Sequence, residues 1–549
     1  MSQFNGGRWG LVASTIWLLA GACSSNDSPK GMTTGGSGGA AAGSGGSSDA
    51  SSGSAGSDAA GGASTGTGGG APTGSGGASA SGGSTGSGGG AAADARSDGT
   101  TGTGGSSGTG GAVKPDSGPG DLGGGTGGAS GDAGNGVSCP ATGLAGAGVV
   151  KVTKNGTTFA LTRDGAAYYI KGIAGGSNLG LAQQYGVNST RTFSSDGAMA
   201  ILDSARSHCM TVLLGIELSK DPNDYANAGY TAGKRAEVTS LLSTIKSHPA
   251  LLMWALGNET NLGADTQPAW AFIGQLAQLI HQQDPNHPVI TVFAGANVTS
   301  INNMVQWSQG IDAIGINSYA AVVNTNTEVA RSTFTGPVIV TEWGPTGHWE
   351  SPNTSWGRPI EETSGAKSRV YKVRYESFAH TGRILGDYVF LWGQKIERTP
   401  TWYGMFLENN ADLGLMSETL PTVDVMAFEW SGGYPANRAP DVTAITLGGK
   451  TAIMNVALNA GQSVPAQVTV TDPEGDPLSY VWEILQDPAQ PDLKGAPEPR
   501  EPRVGAPQKG TTPTLTITAP GQSGQYRLLV YVLDGKGHAG TANLPFRVN

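Results

Sequence analysis

Two glutamates each stand at the C-terminal end of an apolar run that is typical of a buried strand. Glu259 closes the segment WALGNE, and Glu342 lies in VIVTEWGP. Two carboxyl groups brought together can cleave an acetal, because one protonates the departing oxygen while the other attacks or stabilises the anomeric carbon. A lone strand-ending glutamate is often a salt-bridged rim residue, but here Asn258 precedes the first glutamate and Trp343 follows the second. The pattern favours glycosidic-bond chemistry with Glu259 and Glu342 as catalytic residues.

Eight short apolar runs rich in β-formers follow Gly148, and amphipathic stretches with helical spacing separate several of them. The predicted strands are Tyr168–Ile173, Val187–Thr192, Met210–Ile216, Leu251–Leu256, Val289–Val292, Ile311–Ile316, Val338–Thr341 and Tyr388–Trp392. Strands that alternate with helices predict a parallel sheet, and eight units fit a (β/α)8 barrel, an α/β fold. A doubly wound sheet also alternates, but no glycine-rich phosphate loop opens any of the predicted helices.

Residues at the C-terminal strand ends of such a barrel are candidates for function, because that face carries the chemistry. They are Arg191, Glu217, Asn258, Glu259, Asn317, Tyr319, Glu342, Trp343 and Trp392. Each alone is compatible with a satisfied polar or aromatic residue at a loop entrance. The two glutamates, however, fall on the fourth and seventh predicted strands, on opposite parts of the barrel mouth.

These segments resemble the clan of retaining (β/α)8 glycosidases. That clan includes the catalytic domain of glycoside hydrolase family 2, the family 5 endoglucanases and the family 72 β-glucanosyltransferases. The resemblance spans about Tyr168 to Asn437 and implies that Glu259, preceded by Asn258, is the acid/base and that Glu342 is the nucleophile. The histidine that the endoglucanases carry before the Asn-Glu strand is absent, which weakens a specific assignment to family 5.

Three further segments, GVNSTRTF, GINSY and FLWGQ, look like strands two, six and eight of the clan. The resemblance implies that Arg191 binds and ionises the nucleophile, that Tyr319 donates a hydrogen bond to Glu342, and that Trp392 forms the floor of the cleavage subsite. Glu217, at the end of the third strand, is either a sugar ligand or a rim residue. The segment from Val149 to Ile170 is predicted to form a hairpin that closes the bottom of the barrel.

The implied mechanism is double displacement, with the two carboxyl groups about 5 to 5.5 Å apart. A guanidinium next to Glu342 should lower the pKa of that carboxyl, and a negative nucleophile should raise the pKa of Glu259. The acceptor is water in a hydrolase or a sugar hydroxyl in a transglycosylase, and the sequence does not separate the two. An inactive, glycan-binding envelope protein is the alternative from another class, although Arg191, Tyr319 and both glutamates are present.

Aromatic residues are concentrated after the seventh and eighth strands. They are Trp343, Trp349, Trp356, Trp402 and Tyr403, with His348 among them. Flat rings stack on the apolar faces of sugars, so these loops suit a cleft for a polysaccharide or oligosaccharide. Trp343 and Trp349, together with Asn317, are counted as candidate substrate-binding residues, and His348 is either a hydroxyl ligand or a structural residue.

The N-terminal part is predicted to export and anchor the protein. Residues 1–23 resemble a bacterial lipoprotein signal, because small residues lead from an apolar run into Cys23, the expected lipidation site. An ordinary cleaved signal, and hence secretion, is the alternative to a place in the cell envelope or on the cell surface. Residues 24–138 are almost entirely Gly, Ser, Ala, Thr and Asp, which predicts a disordered tether. Cys139 and Cys209 remain, and whether they pair is open.

The net charge of the chain limits the classes of partner that it can bind. The formal net charge is -10 and no basic cluster accompanies it, which argues against nucleic acid and suits a neutral glycan. No other run is long enough to span a bilayer, so any membrane contact is expected through the lipid anchor alone. We expect a monomer that needs no cofactor and no catalytic metal.

Residues 438–549 alternate in the pattern of strands and predict an immunoglobulin-like β-sandwich after the barrel of residues 139–437. TDPEGDPLSYVWEI and LDGKGHAG resemble PKD or cadherin-like modules. Four acidic residues could bind calcium or simply form turns: Asp472, Glu474, Asp476 and Asp534. The module is expected to be a spacer or a binder rather than a catalyst.

Overall fold

The computed structural model describes residues 139–140, 142–488 and 497–549. They fall within one compact unit. The predicted signal, the lipidation site Cys23 and the predicted tether lie outside the described residues.

An antiparallel sheet of three strands opens the described chain, as the predicted hairpin required. Its strands are β1 (Val150–Asn155), β2 (Thr158–Arg163) and β3 (Ala166–Tyr168). The main-chain N–H of Val150 donates to the carbonyl of Asn286 (2.9 Å), just ahead of a barrel strand. The sheet therefore lies at the N-terminal ends of the barrel strands, which is the bottom of the barrel.

Within the described residues, eight parallel strands close into a barrel in chain order, and the predicted (β/α)8 fold is confirmed. They are β4 (Ile170–Ala174), β5 (Ser189–Arg191), β6 (Thr211–Ile216), β7 (Leu251–Asn258), β8 (Val289–Ala294), β9 (Ala313–Asn317), β10 (Val338–Trp343) and β11 (Ile384–Val389). The α-helices are α1 (Leu179–Gln184), α2 (Ala198–Ser207), α3 (Ala228–Ile245), α4 (Gln267–Gln283), α5 (Val298–Trp307), α6 (Thr325–Ala330), α7 (Ser364–Phe378) and α8 (Pro421–Ser431).

The eighth strand is displaced from its prediction. It runs from Ile384 to Val389, so the apolar run from Phe390 to Trp392 continues after the sheet ends. The main chain stays buried beyond the end of the strand. There the N–H of Phe390 donates to the carbonyl of Trp343 (2.7 Å), and the N–H of Trp392 donates to the carbonyl of Ala174 (3.0 Å). The residues that follow the strand are therefore apolar although they lie outside the sheet.

Side chains fill the barrel interior, so the barrel is a packed core rather than a pore. Tyr388 is the largest inward residue and its hydroxyl lies 2.9 Å from the Ser189 hydroxyl. Gly172 on the adjacent strand makes room for this ring, because a Cβ atom there would lie 2.3 Å from it. A second cluster, between the strands and the helices, forms the larger core.

Asp387 is a carboxyl group buried between the barrel and its helices. The indole N–H of Trp343 donates to its Oδ1 (2.8 Å), and Oδ2 has no partner among the described residues. Burial raises the pKa of Asp387 to about 8, which the Trp343 hydrogen bond and the charge of Lys171 only partly oppose. Burial therefore favours the protonated form of this carboxyl in the folded protein.

Cys139 and Cys209 form a disulfide, with their Cα atoms 5.5 Å apart. This answers the question that the sequence left open. Cys209 lies in the turn between α2 and β6, and this turn is also at the bottom of the barrel. A cross-link across 70 residues of sequence separation restricts the unfolded chain, so it stabilises the fold.

After the barrel, the described chain forms a small ribbon and two facing sheets. The ribbon strands are β12 (Asn409–Asn410) and β13 (Leu415–Met416). The sheets pair in the orders β14-β16-β19 and β15-β21-β20-β17-β18. Their strands are β14 (Asp441–Leu447), β15 (Ala457–Leu458), β16 (Ser463–Thr471), β17 (Ser479–Gln486), β18 (Gln508–Gly510), β19 (Thr514–Thr518), β20 (Gly524–Leu533) and β21 (Ala539–Val548). One hydrophobic cluster draws on both sheets, as expected of a β-sandwich, while the PKD or cadherin-like resemblance stays a prediction.

The acidic residues considered for calcium already have protein partners. Asp472 Oδ1 accepts from the main-chain N–H groups of Glu474 (3.1 Å) and Asp476 (2.8 Å), and Asp534 binds His538 (2.7 Å). In the described part of the chain no group of His, Cys, Asp or Glu is arranged to hold a metal ion. These contacts support the account in which the acidic residues form turns.

No helix in the described ranges combines the length and the apolar character needed to cross a bilayer.

Candidate active site

Glu259 lies directly after β7, at the mouth of the barrel. Its backbone is in the left-handed region, with φ 56°, and its N–H donates to the carbonyl of Val292 (2.9 Å) on β8. This turn directs the half-buried carboxyl over the ends of the strands. The predicted position at the end of the fourth barrel strand is the position observed.

Glu342 lies on β10, the seventh barrel strand, and is only 7% exposed. Arg191, the last residue of β5, donates to Glu342 Oε1 (3.3 Å), and the Tyr319 hydroxyl donates to Oε2 (3.3 Å). Both contacts were expected from the sequence. They hold the carboxyl from two sides and fix the direction in which it faces the mouth.

Asn317, the last residue of β9, links the two glutamates. Its amide donates to Glu259 Oε1 (3.1 Å) and to Asn258 Oδ1 (3.1 Å), while its Oδ1 accepts from Arg191 (3.3 Å). Arg191 also donates to Asn258 Oδ1 (2.7 Å), so it connects Asn258 with Glu342. One hydrogen-bond network, drawn from four strand ends, thus carries both carboxyl groups.

Two members of this network were missed by sequence reasoning. The carbonyl oxygen of Thr341 accepts a hydrogen bond from Arg191 (2.6 Å), and the Thr341 hydroxyl donates to Asn317 Oδ1 (2.8 Å). Lys220 Nζ lies 3.3 Å from Glu259 Oε2. Thr341 could have been found from the sequence, since it directly precedes Glu342. Lys220 could not, because it lies in the loop after β6 and only the fold brings it to Glu259.

The loop that carries Lys220 is fixed by two tyrosines. The Ser219 N–H donates to the Tyr230 hydroxyl (2.7 Å), and the Tyr225 hydroxyl donates to the Ser219 carbonyl (2.6 Å). Glu217, two residues before Ser219, is exposed. Exposure is compatible with both readings that the sequence allowed for Glu217, a sugar ligand or a rim residue.

The expected lowering of the Glu342 pKa is wrong. The pKa of Glu342 is raised to about 7, mainly by burial and also by the charge of Glu259, while Arg191, Lys395 and the Tyr319 hydrogen bond lower it. The sequence showed the guanidinium but not the loss of water around the carboxyl, which is the larger effect here.

The role of nucleophile that the sequence predicts for Glu342 implies an acidic limb near pH 7 in the profile of kcat/KM. Only the carboxylate can attack, so activity should fall about tenfold per pH unit below the pKa of the free enzyme. The measurement is kcat/KM on a substrate that does not ionise, from pH 4 to pH 9. Tyr319→Phe removes a hydrogen bond to the carboxylate and should move the limb to higher pH. A profile that stays flat down to pH 5 would contradict the assignment.

Trp343 and Trp392 do not reach the site, and the prediction that they bind substrate is wrong. Side chains alternate along a strand, so Glu342 faces the mouth and Trp343 faces the helices, where it packs on Tyr371 and Phe378 of α7. Trp392 lies beyond the end of β11. It is fully buried against two aromatic rings, those of Phe406 (5.1 Å) and Trp430 (6.0 Å).

Phe390 occupies the place expected of Trp392. Its ring lies edge-on to Tyr319 (6.3 Å) and Phe193 (6.4 Å) in a small cluster at the mouth. Trp349, in the loop after β10, is 59% exposed and stands edge-on to Tyr319 (5.3 Å). Trp349 is thus an exposed ring beside the carboxyl pair.

The other loop aromatics are structural. Trp402 and Tyr403 are buried, and the Tyr403 hydroxyl lies 2.9 Å from His348 Nδ1. The guanidinium of Arg547, on β21, lies 5.7 Å from the ring of Trp356, which places Trp356 against the C-terminal sheets.

Comparison with known proteins agrees with this geometry. Residues 203–351 match the family model of glycosyl hydrolases family 2, TIM barrel domain. Both Glu259 and Glu342 lie inside the matched range. The resemblance to retaining (β/α)8 glycosidases is confirmed for this part of the barrel. No curated protein matches the chain.

Among solved structures, the chain is similar to a putative beta-galactosidase from Bacteroides fragilis (12% identity, TM-score 0.39). It is also similar to an FMN-binding beta-glucuronidase from Facaelibacterium prausnitzii L2-6 (12% identity, TM-score 0.38). Each of these matches covers 73% of this chain, but only 58% and 59% of the respective relatives. A glycoside hydrolase family 5 mannosidase from Rhizomucor miehei matches at 13% identity and TM-score 0.37, over 52% of this chain and 97% of that one.

Proposed function

We propose that the protein is a retaining glycoside hydrolase that cleaves β-glycosidic bonds of a glucan-like polysaccharide. The observation that carries the proposal is the hydrogen-bond network that joins Glu259 and Glu342 through Asn317 and Arg191. It supplies two carboxyl groups in different surroundings at the mouth of one barrel. Paired carboxyl groups in different surroundings are what acid-assisted acetal cleavage needs.

In the proposed mechanism Glu342 Oε attacks the anomeric carbon as the bond to the departing oxygen breaks. Glu259 gives its proton to that oxygen, and a glycosyl ester of Glu342 forms. Esterification removes the negative charge of Glu342, so the carboxylate left on Glu259 is no longer repelled by it. Lys220, 3.3 Å from Glu259, stabilises this carboxylate. Glu259 then takes a proton from water, which attacks the same carbon and releases Glu342.

The proposed glycan is supported by the surroundings of the carboxyl pair. Trp349 offers an exposed ring on which a sugar face can stack, and it packs on Tyr319, which the buried ring of Phe390 also contacts. The chain carries a net charge of -10, which suits a neutral polysaccharide better than an anionic one.

We further propose that the protein is exported and held at the cell envelope by a lipid on Cys23. The Cys139–Cys209 disulfide supports an oxidising compartment, where such bonds persist. Labelling with a fatty acid in the parent cell, compared with a Cys23→Ser variant, tests the anchor. Secretion without lipid is the alternative outcome.

The retaining mechanism is tested by the stereochemistry of the first product. We expect proton NMR of a β-glycoside digestion to show the β-anomer first, followed by mutarotation, because two inversions restore configuration. Appearance of the α-anomer first would overturn the mechanism. The same digestions, run on a panel of polysaccharides, identify the sugar. Products longer than the substrate would favour the transglycosylase, and binding without turnover on every glycan would favour the inactive binder.

A further inference from the structure

The loop after β11 brings an ion pair to the mouth of the barrel. Lys395 Nζ lies 2.7 Å from Glu397 Oε2, and the side chains are only 6% and 7% exposed. The ammonium also lies over the ring of Phe390, 5.5 Å from its centre. Its charge acts on Glu342, where it favours the carboxylate. The position of this loop thus affects the proposed nucleophile.

The segment between β17 and β18 holds this loop on both sides of Glu397. The N–H of Glu498 donates to the carbonyl of Ile396 (2.8 Å), and the N–H of Arg398 donates to Glu498 Oε2 (2.9 Å). Arg398 has φ 62°, a conformation that non-glycine residues adopt only when their surroundings require it. Glu498, in the segment between β17 and β18, therefore fixes the backbone before and after Glu397.

A second contact holds the end of the same loop. Asn543, on β21, donates to Glu361 Oε2 (2.5 Å), and the same carboxyl accepts from Thr399 (2.5 Å) and Thr401 (2.8 Å). Glu361 is buried, and Lys367 on α7 pairs with it at 2.5 Å. The loop after β11 is therefore fixed at two places, by part-buried contacts to Glu498 and by buried contacts to Glu361, which Asn543 also binds.

We propose that Glu498 is a positioning residue of the candidate active site and that the C-terminal sheets complete the catalytic unit by fixing the Lys395–Glu397 pair. This inference rests on the proposed function. It differs from the expectation that the module is a spacer or binder. Glu498 touches no reacting atom in this scheme and acts through the backbone of Ile396 and Arg398.

The predicted consequence is electrostatic as well as geometric. The charged or titratable groups that face Glu342 are Arg191 from β5, Glu259 after β7, Tyr319 after β9 and Lys395 after β11. Of these, only Lys395 is carried by the loop that Glu498 anchors. If that loop shifts, Glu342 loses a nearby positive charge and becomes harder to ionise, while the other three groups stay in place.

The test compares Glu498→Ala with Glu498→Gln. Alanine cannot accept the Arg398 hydrogen bond, so kcat/KM should fall at least about tenfold, since small displacements near reacting groups are costly. The acidic limb of the kcat/KM profile should also move to higher pH. The amide oxygen of glutamine still accepts this bond, so this variant should stay close to the parent in both respects.

Glu474→Ala is the matched control. Glu474 also accepts from a main-chain N–H and pairs with an arginine, in this case Arg438 at 2.9 Å for both contacts, but it binds the segment after α8 and not the loop after β11. It should leave activity and pH profile unchanged. If the alanine variant of Glu498 does not fold, Glu498→Asp, which withdraws the carboxyl by one methylene, should shift the limb in the same direction.

The outcomes separate the inference from the function it rests on. An active parent with an unchanged Glu498→Ala variant, in rate and in pH profile, overturns the inference and leaves the glycosidase proposal intact. A loss of rate in which the acidic limb does not move and glutamine does not rescue overturns it as well. A parent that is inactive on every glycoside tested overturns the proposed function itself.

Discussion

Glu342→Gln should lower kcat/KM on the proposed glycoside about 10⁴-fold or more while the barrel stays folded. Glutamine has nearly the same shape and can still accept a hydrogen bond, but its amide cannot form the glycosyl ester on which double displacement depends. The loss should be the same for substrates with good and poor leaving groups, because attack on the anomeric carbon is required for both.

A stability measurement distinguishes this loss from misfolding. Burial raises the pKa of Glu342 to about 7 in the folded protein, above its ordinary value of 4.5. The contribution of protonated Glu342 to the stability of the fold is fully present below pH 4.5. It is lost as the pH rises through 7, because the buried group must then ionise. Glutamine does not ionise, so the variant should have a Tm at least equal to that of the parent at pH 8. Glu328→Gln, on α6, is the control for activity, because Glu328 pairs with Arg331 and makes no contact with the two glutamates.

Glu259→Gln should show a loss that depends on the leaving group. For a sugar or alkyl leaving group we expect kcat/KM to fall about 10³- to 10⁴-fold, because the departing oxygen is no longer protonated. For an aryl glycoside with an acidic phenol the first step needs little assistance and should be nearly preserved. The glycosyl ester then accumulates, since Glu259 is also needed to activate water.

Azide gives the sharpest measurement on this variant. It attacks the intermediate without base assistance, so it should restore turnover of the aryl glycoside and yield a β-glycosyl azide. The same azide should have no effect on Glu342→Gln, which forms no intermediate. Equal losses on both substrate types, with no rescue, would contradict the role of Glu259.

The barrel and the positions of the two glutamates could be predicted because they depend on local pattern. A buried parallel strand is an apolar run with a polar end, and the polar ends of neighbouring strands meet at one face. Arg191, Tyr319, Asn258 and Asn317 were found in this way, and the structure brings them into one network with Glu259.

The misplaced tryptophans have a physical reason. When a strand is apolar on both faces, composition does not say which side chain faces inward, and the direction of Trp343 follows only from that of Glu342. Trp392 was misplaced because the apolar run outlasts the strand. Lys220 and Lys395 reach the site from loops, and the periodicity of apolar residues does not predict the path of a loop. The pKa of Glu342 depends on burial, which is a property of the whole fold.

The Cys139–Cys209 disulfide also determines how the folded body would carry a mechanical load. Under the proposed lipid anchor, any pull from the membrane enters the body at Cys139, and the covalent bridge passes it directly to Cys209 between α2 and β6. The three-stranded sheet that begins at Val150 is thereby bypassed and cannot be peeled from its end. The load enters at the bottom of the barrel, opposite Glu259 and Glu342, so pulling would turn the catalytic mouth away from the membrane.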